Sequence, residues 1–418
     1  MYWYSDIIPI LAPLALLLMG LFFILFVKYP RLALFLYICT LPLFEVYISL
    51  SFARMRLDDM LAVLGLLAAV SRHGLRPITS LDQRSRNLLK IYVFNIVLLC
   101  ISAAYGYILY SRLNVYDTGR MLGNFVKTMF LVLTIRDRDD FVFVLKTYVV
   151  IFFITGIYYY IPITRQLQWE IDSRYQAKRT LGARDMGINA NTYGYYLSIG
   201  IMFTLLLRDQ LHDSLSRSRV FILWGIFAFF TVILASLFFR AALIAAMVVF
   251  VYRQVSRQKA GLIFGVMILI IAAMSSANYI FQYLQTFDVS DIGNRSQRFI
   301  EGIMAWREHP IFGHGFGQEY WLISHSTSHN SISASLCETG LIGFGFMLTT
   351  LVTLLVNLKD VVNKHEPLKL PFALGIGLLV LMSPTPSMWI DKTSMLLMGI
   401  LLTYIVVCRR EEQSRGNS

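Results

Sequence analysis

The feature that most constrains this chain is the recurrence of apolar runs long enough, or nearly long enough, to cross a bilayer. They cover residues 7–27, 32–48, 57–70, 88–110, 122–135, 141–163, 192–207, 220–238, 241–252, 262–277, 332–356, 370–382 and 394–407. A membrane-spanning helix needs about 20 predominantly apolar residues, because every backbone N–H and C=O must be satisfied internally once water is gone. A soluble enzyme with one appended anchor is excluded. Across all 418 residues, 57% are hydrophobic and only 15% charged, against roughly 25% charged in an ordinary soluble domain. The expected fold is an all-α polytopic membrane protein of about 12 transmembrane helices. A large periplasmic loop, residues 278–331, carries short amphipathic helices within a single integral domain, residues 1–418. The first run has no basic segment before it and continues to Val27, so it is expected to stay as a span rather than be cleaved.

The formal net charge of +12 fits basic loops facing anionic headgroups and does not imply nucleic-acid binding. Short connections rich in Lys and Arg are retained in the cytoplasm. Residues 71–87, 208–219, 253–259, 357–369 and the tail from Arg409 therefore mark the inside. Alternation then sends two long polar connections outside, residues 164–191 and 278–331. It also leaves Arg54 and Arg56 outside, against the rule. Cys39, Cys100, Cys337 and Cys408 lie in or beside apolar runs without metal-ligand spacing, so packing is their expected role.

The outer connections carry basic residues that topology does not call for: Arg165, Arg174, Lys178, Arg179 and Arg184 in the first, Arg295, Arg298 and Arg307 in the second. An anionic ligand outside the membrane accounts for them. So would pairing with Glu170, Asp172, Asp185, Asp288, Asp291 and Glu301, or snorkelling to headgroups. Arg240 interrupts an apolar stretch and, at the centre of a span, would cost about 2.5 to 3.5 kcal/mol. Counting from the flanking basic loops places it instead at the outer end of two helices. Arg295, Phe299, Ile303 and Trp306 recur at helical spacing until Pro310, which predicts an amphipathic helix on the outer face.

Gly313, Gly315 and Gly317 follow with no preceding strand, so a tight turn rather than a dinucleotide loop is expected. His329 and Asn330 precede a span containing Gly340 and Gly343, read as helix-packing residues. A water-boundary imidazole of ordinary pKa near 6.5 can accept a proton, which makes His329 a candidate general base. His309, His314, His325 and His329, four of the seven histidines, share this connection. His325 and His329 have zinc-compatible spacing, but no H-E-x-x-H is present and Ser326, Thr327 and Ser328 are poor helix formers, so no metal or other cofactor is expected. Asp58 and Asp59 are read as an interfacial ion-pair cluster with Arg54 and Arg56; Glu45 is the other early carboxylate.

Taken together, residues 293–343 resemble the O-antigen ligase and O-antigen polymerase superfamily of bacterial inner-membrane glycosyltransferases. The likeness rests on Arg295 after a glycine-containing turn, an aromatic-bearing helix, the HPIFGHGFG stretch, and an H-[NSQ]-x9-GxxG pattern at His329, Asn330, Gly340 and Gly343. Asn191 looks like the asparagine with which the family enters a middle span. Arg240 looks like the family's arginine between two spans, although Phe239 stands where a serine is usual.

The resemblance implies an inverting, metal-independent transferase of lipopolysaccharide or other surface polysaccharide assembly. Its donor is a glycan on undecaprenyl pyrophosphate, and its active site faces the periplasm. His329 would take the acceptor proton, Arg240 and Arg295 (or Arg298) would hold the pyrophosphate, and Asn330, Gly340, Gly343 and Asn191 would support them. Implied partners are the lipid-linked donor, a glycan or lipid A core acceptor, the bilayer and a chain-length regulator. A general likeness of the first half to polysaccharide polymerases favours polymerase over ligase. A transporter of an anionic lipid-linked substrate is the reading of another class, and would need matched charges on both sides.

Overall fold

A computed structural model describes residues 8–42, 47–49, 54–74, 78, 81–166, 190–211, 216–236, 240–256, 289–323, 330–365, 370–382 and 387–416. For some residues at element ends, Asn191, Arg240 and Arg295 among them, it gives the backbone alone. The described structure is helical apart from one small antiparallel ladder. In chain order the elements are α1 (Ile8–Lys28), α2 (Pro30–Thr40), β1 (Tyr47–Ser49), β2 (Arg54–Arg56), α3 (Leu57–His73), α4 (Gln83–Tyr110), α5 (Val115–Thr134) and α6 (Arg138–Gln166). There follow α7 (Ala190–Gln210), α8 (Arg217–Ser236), α9 (Arg240–Ser256), α10 (Val289–Glu308), α11 (Glu319–Leu322), α12 (Ser331–His365), α13 (Leu370–Met382) and α14 (Lys392–Gly416).

Among the described residues, five segments are long and apolar enough to cross a membrane: Gln83–Tyr110, Arg138–Tyr158, Arg217–Leu234, Ser331–Val361 and Lys392–Ser414. The chain is a helical membrane protein by that measure. Shorter apolar helices fill in between, among them Pro30–Thr40 and Ala242–Val255. The run at 262–277 lies outside the described residues.

The second apolar run, 32–48, departs from expectation. Its helix stops at Thr40, and Tyr47–Ser49 instead pairs with Arg54–Arg56, Tyr47 opposite Arg56. Pro42 explains the stop, since it has no N–H to continue the ladder. Arg54 and Arg56 therefore belong to a hairpin at the mouth of α3 rather than to a loop.

Capping residues mark where several helices begin. Asp82 accepts from the amides of Arg84 and Ser85 (3.0 and 3.3 Å) to start α4, and Asn114 accepts from Asp117 N (3.0 Å) to start α5. Asn330 accepts from Ile332 N (2.9 Å) and Ser333 N (3.2 Å) to start α12.

Side-chain contacts gather alternate helix ends into one cationic face. Arg72 of α3 donates to the Val27 carbonyl of α1 (3.2 Å), and Arg31 of α2 meets Asp140 of α6 (2.7 Å). Arg253 of α9 pairs with Asp209 of α7, and Arg84 of α4 with Asp360 of α12 (2.7 Å). Arg409 of α14 binds both Asp82 (2.7 Å) and Asp360 (3.2 Å). Burial works against ionising Asp82, but hydrogen bonds from Ser85 and Arg409 and the guanidinium charge hold its carboxyl below the usual range. Successive helices thus run in opposite directions, and the opposite end of the bundle holds Tyr110, Asn114, Arg240, Asn330 and the 309–318 segment.

Candidate functional site

The site is built around a break in α12. Gly340 has φ 62° and ψ −164°, a region essentially closed to residues with a Cβ, and it divides a short arm, Ser331–Thr339, from the rest of the helix. Such a break frees backbone groups at membrane depth, where each unsatisfied one is costly. The 309–318 segment supplies the partners. His314 N donates to Cys337 O (2.9 Å) and Gly315 N to Glu338 O (2.8 Å). In return, Leu341 N donates to Pro310 O (2.9 Å) and Ile342 N to Ile311 O (3.2 Å). Both halves of the broken helix are therefore capped by one loop.

That loop can reach so close only because it is glycine-rich. Gly313, Gly315 and Gly317 have φ of 68°, 105° and 83°. A Cβ on Gly313 would sit 2.5 Å from the Glu338 carbonyl carbon, and one on Gly315 would strike the backbone at Gly106 of α4. The expected tight turn is thus a wedge lodged between α4 and α12. The Gly340 reading is corrected: the residue serves a left-handed backbone and a close approach to Ile311, not helix-on-helix packing.

Polar side chains pin the wedge from α4 and α5. Ser102 Oγ donates to Glu338 O (3.2 Å) and accepts from Phe316 N (3.0 Å). Asn114 Nδ2 donates to Gly317 O (3.0 Å), Gln318 Nε2 to Arg112 O (2.8 Å), and Gly317 N to the buried Glu338 carboxylate (3.0 Å). His314 is fully buried, its Nε2–H donating to Ala305 O of α10 (2.7 Å) while Nδ1 accepts from the Tyr110 hydroxyl. That pattern selects the neutral imidazole. Burial holds its pKa below the usual value against the Ala305 carbonyl, with the adjacent His309 pushing the same way.

The expected amphipathic helix is present as α10. It rests on the α12 arm where Ser333 Oγ donates to Phe299 O (3.3 Å), and no side chain fits at Gly302 against Ser333. Its apolar residues do not all face inward, because Ile300 and Met304 are exposed along with Ile311 and Phe312 of the wedge. Arg298 is partly exposed, and Glu301 takes its hydrogen bond from Gln297 (2.9 Å) rather than from an arginine. Arg295 lies about 6 Å along the axis from Phe299.

Asn330 caps the arm that holds Ser333, and the contact of Ser333 with Phe299 joins that arm to the helix of Arg295 and Arg298. His329 lies outside the described residues, as does His325. Arg240 opens α9, tied to α7 where Ser198 Oγ donates to Ala242 O (2.8 Å). α13 packs against both α9 and α12. From the cationic face, α9 rises about 20 Å between Arg253 and Arg240 and α12 about 25 Å between Asn357 and Gly340. Arg240 and the break thus lie at comparable height. Asn191 is in the first turn of α7.

Two further findings were not anticipated. Lys127, inside the apolar run 122–135, is buried and closes on both Asp58 and Asp59 (2.5 Å each). Both carboxylates thus meet a lysine of α5 that the expected cluster with Arg54 and Arg56 did not include. Glu338 and Tyr110 were also overlooked; a lone carboxylate within an apolar run was the available signal for the first. Among the described residues, no group of three His, Cys, Asp or Glu is arranged to hold a metal ion. No protein-family model matches the chain, and no curated protein matches it at a significant level.

Proposed function

We propose that the protein transfers a glycan from undecaprenyl pyrophosphate to an acceptor hydroxyl at the outer face of a bacterial inner membrane, in O-antigen or other surface polysaccharide assembly. The observation that supports this reading is the docking of α10, the helix of Arg295 and Arg298, on the α12 arm that begins next to Asn330. In the proposed reaction the acceptor oxygen attacks the anomeric carbon from the face opposite the pyrophosphate. The new C–O bond forms as the bond to pyrophosphate breaks, inverting the configuration and releasing undecaprenyl pyrophosphate. His329 takes the acceptor proton, and Arg240 with Arg295 or Arg298 balances the charge developing on the leaving group. Guanidinium suits this task because it stays ionised and grips phosphate oxygens in pairs.

Orientation supports the reading. The cationic face would be cytoplasmic by the charge rule, which puts the break, the wedge and Arg240 on the periplasmic side. Polymerase is favoured over ligase by the general likeness of the first half and the Asn191 region to polysaccharide polymerases. The test is undecaprenyl pyrophosphate release by purified protein from a lipid-linked glycan. His329→Ala is expected to lower turnover by about 10²- to 10⁴-fold, the usual worth of a general base. Arg240→Ala and Arg295→Ala are expected to lower it as well. Full turnover by His329→Ala removes the general-base role, and absence of any release by the wild type removes the transferase reading in favour of transport.

A further inference from the structure

A second polar site sits at the opposite, cationic end of the bundle. A shallow recess open to solvent lies among α1, α2, α3 and the end of α5. Its wall is made of small or apolar residues, Ala33, Gly65, Ala68 and Phe26 among them, and its rim carries Arg72, His73 and Arg136. Thr134 also lines it. That residue is only 5% exposed, yet its hydroxyl has no hydrogen-bond partner among the described residues. A buried hydroxyl without a partner is uncommon and asks for one.

The rim is crowded with like charge. Arg136 has its pKa held down by burial first and by Arg72 second, against the pull of Asp140 and Asp137. Asp140 is already engaged by Arg31 (2.7 Å). Arg72 reaches only a backbone carbonyl, Val27 O, and Arg410 approaches from α14 to the Ile135 carbonyl (3.3 Å). Arg72 and Arg136 thus lie close enough to repel each other at the rim, next to a buried hydroxyl and an apolar wall. The helices forming that wall present apolar side chains to their surroundings, Ile24 on α1 and Leu67 on α3.

We infer that this recess binds the phosphate headgroup of an anionic phospholipid, with Arg72 and Arg136 on the phosphate, the Thr134 hydroxyl donating to a phosphate oxygen, and the acyl chains lying along α1 and α3. An inorganic anion would use the cations and the hydroxyl but leave the apolar flank uncovered. Basic recesses between spanning helices on the cytoplasmic side are suited to such headgroups. The inference stands apart from the glycosyl-transfer reading, because it uses the other end of the molecule.

The test is native mass spectrometry of the full-length protein in detergent, titrated with phosphatidylglycerol, with phosphatidylcholine as the uncharged comparison and inorganic phosphate as competitor. Each arginine near the headgroup is worth about a fivefold change in binding, so the pair gives roughly a thirtyfold preference for phosphatidylglycerol. Arg72→Gln with Arg136→Gln should bring that preference close to parity. Thr134→Val, nearly isosteric and suited to an apolar surrounding, should keep the fold and weaken phosphatidylglycerol several-fold. Arg217→Gln, an exposed arginine at the same end but away from the recess, should change nothing. Equal binding of the two lipids by the wild type overturns the inference. So does a preference that survives both the arginine pair and Thr134→Val, or inorganic phosphate displacing the lipid at equal concentration.

Discussion

Gly340→Ala tests whether the broken helix is a requirement of the fold. The added Cβ meets the Ile311 carbonyl and lies 2.6 Å from Gly313 N. Holding a residue with a Cβ at φ 62°, ψ −164° costs about 1–3 kcal/mol, and forcing room beside the wedge about 1–3 more. Against this, alanine gains about 1 kcal/mol of helix propensity if α12 straightens. Straightening, however, turns Cys337 O and Glu338 O to Leu341 N and Ile342 N within the helix, and so withdraws the partners of His314 N, Gly315 N, Pro310 O and Ile311 O together. The expected net loss is about 2–5 kcal/mol.

Gly345→Ala is the control, because a Cβ there meets nothing within 4 Å and should be neutral to stabilising. Thermal unfolding in detergent reads the stability, and hydrogen exchange resolved over 309–318 reads the wedge itself. Gly340→Ala should melt earlier and lose protection at His314 and Gly315. Wild-type stability with those amides still protected would refute the proposed role of the break.

Two other outcomes are expected. Lys127→Met leaves the buried Asp58 and the partly exposed Asp59 without their shared cation, and breaking a buried pair costs about 3–5 kcal/mol; a chemical-denaturation series showing less than 1 kcal/mol would mean water reaches the pair. His314 gives the chain a pH dependence, since its pKa is held down in the fold while the unfolded chain takes up the proton near pH 6.5. The unfolded state then binds more protons, so this contribution is complete above about pH 6.5 and is lost as pH falls toward the folded pKa. Melting curves from pH 5 to 8 should show it, and His314→Asn should flatten that part of the profile; equal slopes for the two proteins would remove the assignment.

What could be read in the sequence and what could not divide along physical lines. Apolar runs report their own environment, so the described spans appear where hydropathy placed them, and the α10 periodicity survives as a helix. Pairing across the bundle does not report itself locally. Asp58 and Asp59 were matched to the nearest arginines in sequence, whereas Lys127 lies 69 residues from Asp58 and is hidden in an apolar run. The second run read as one span because its residues stay apolar past Pro42; the proline, not the hydropathy, held the information. Gly313, Gly315, Gly317 and Gly340 were visible as residues that tolerate unusual backbone. That they serve one joint could not be seen, because the joint closes through contacts such as Asn114 with Gly317, 203 residues apart.

The same joint bears on how α10 is held against the spanning helices. Contacts near Ser333 alone would leave α10 a pivot against the spanning helices. The wedge removes that freedom. It continues directly from the C-terminal end of α10, is fixed to it by Ala305 O and by Trp306 Nε1 donating to Pro310 O (3.0 Å), and is bonded to both sides of the α12 break. α10 is thereby held at Ser333 and again at its own end, and two separated contacts define an orientation where one cannot. On this view the break in α12 sets the position of Arg295 and Arg298 through hydrogen bonds that never touch either arginine.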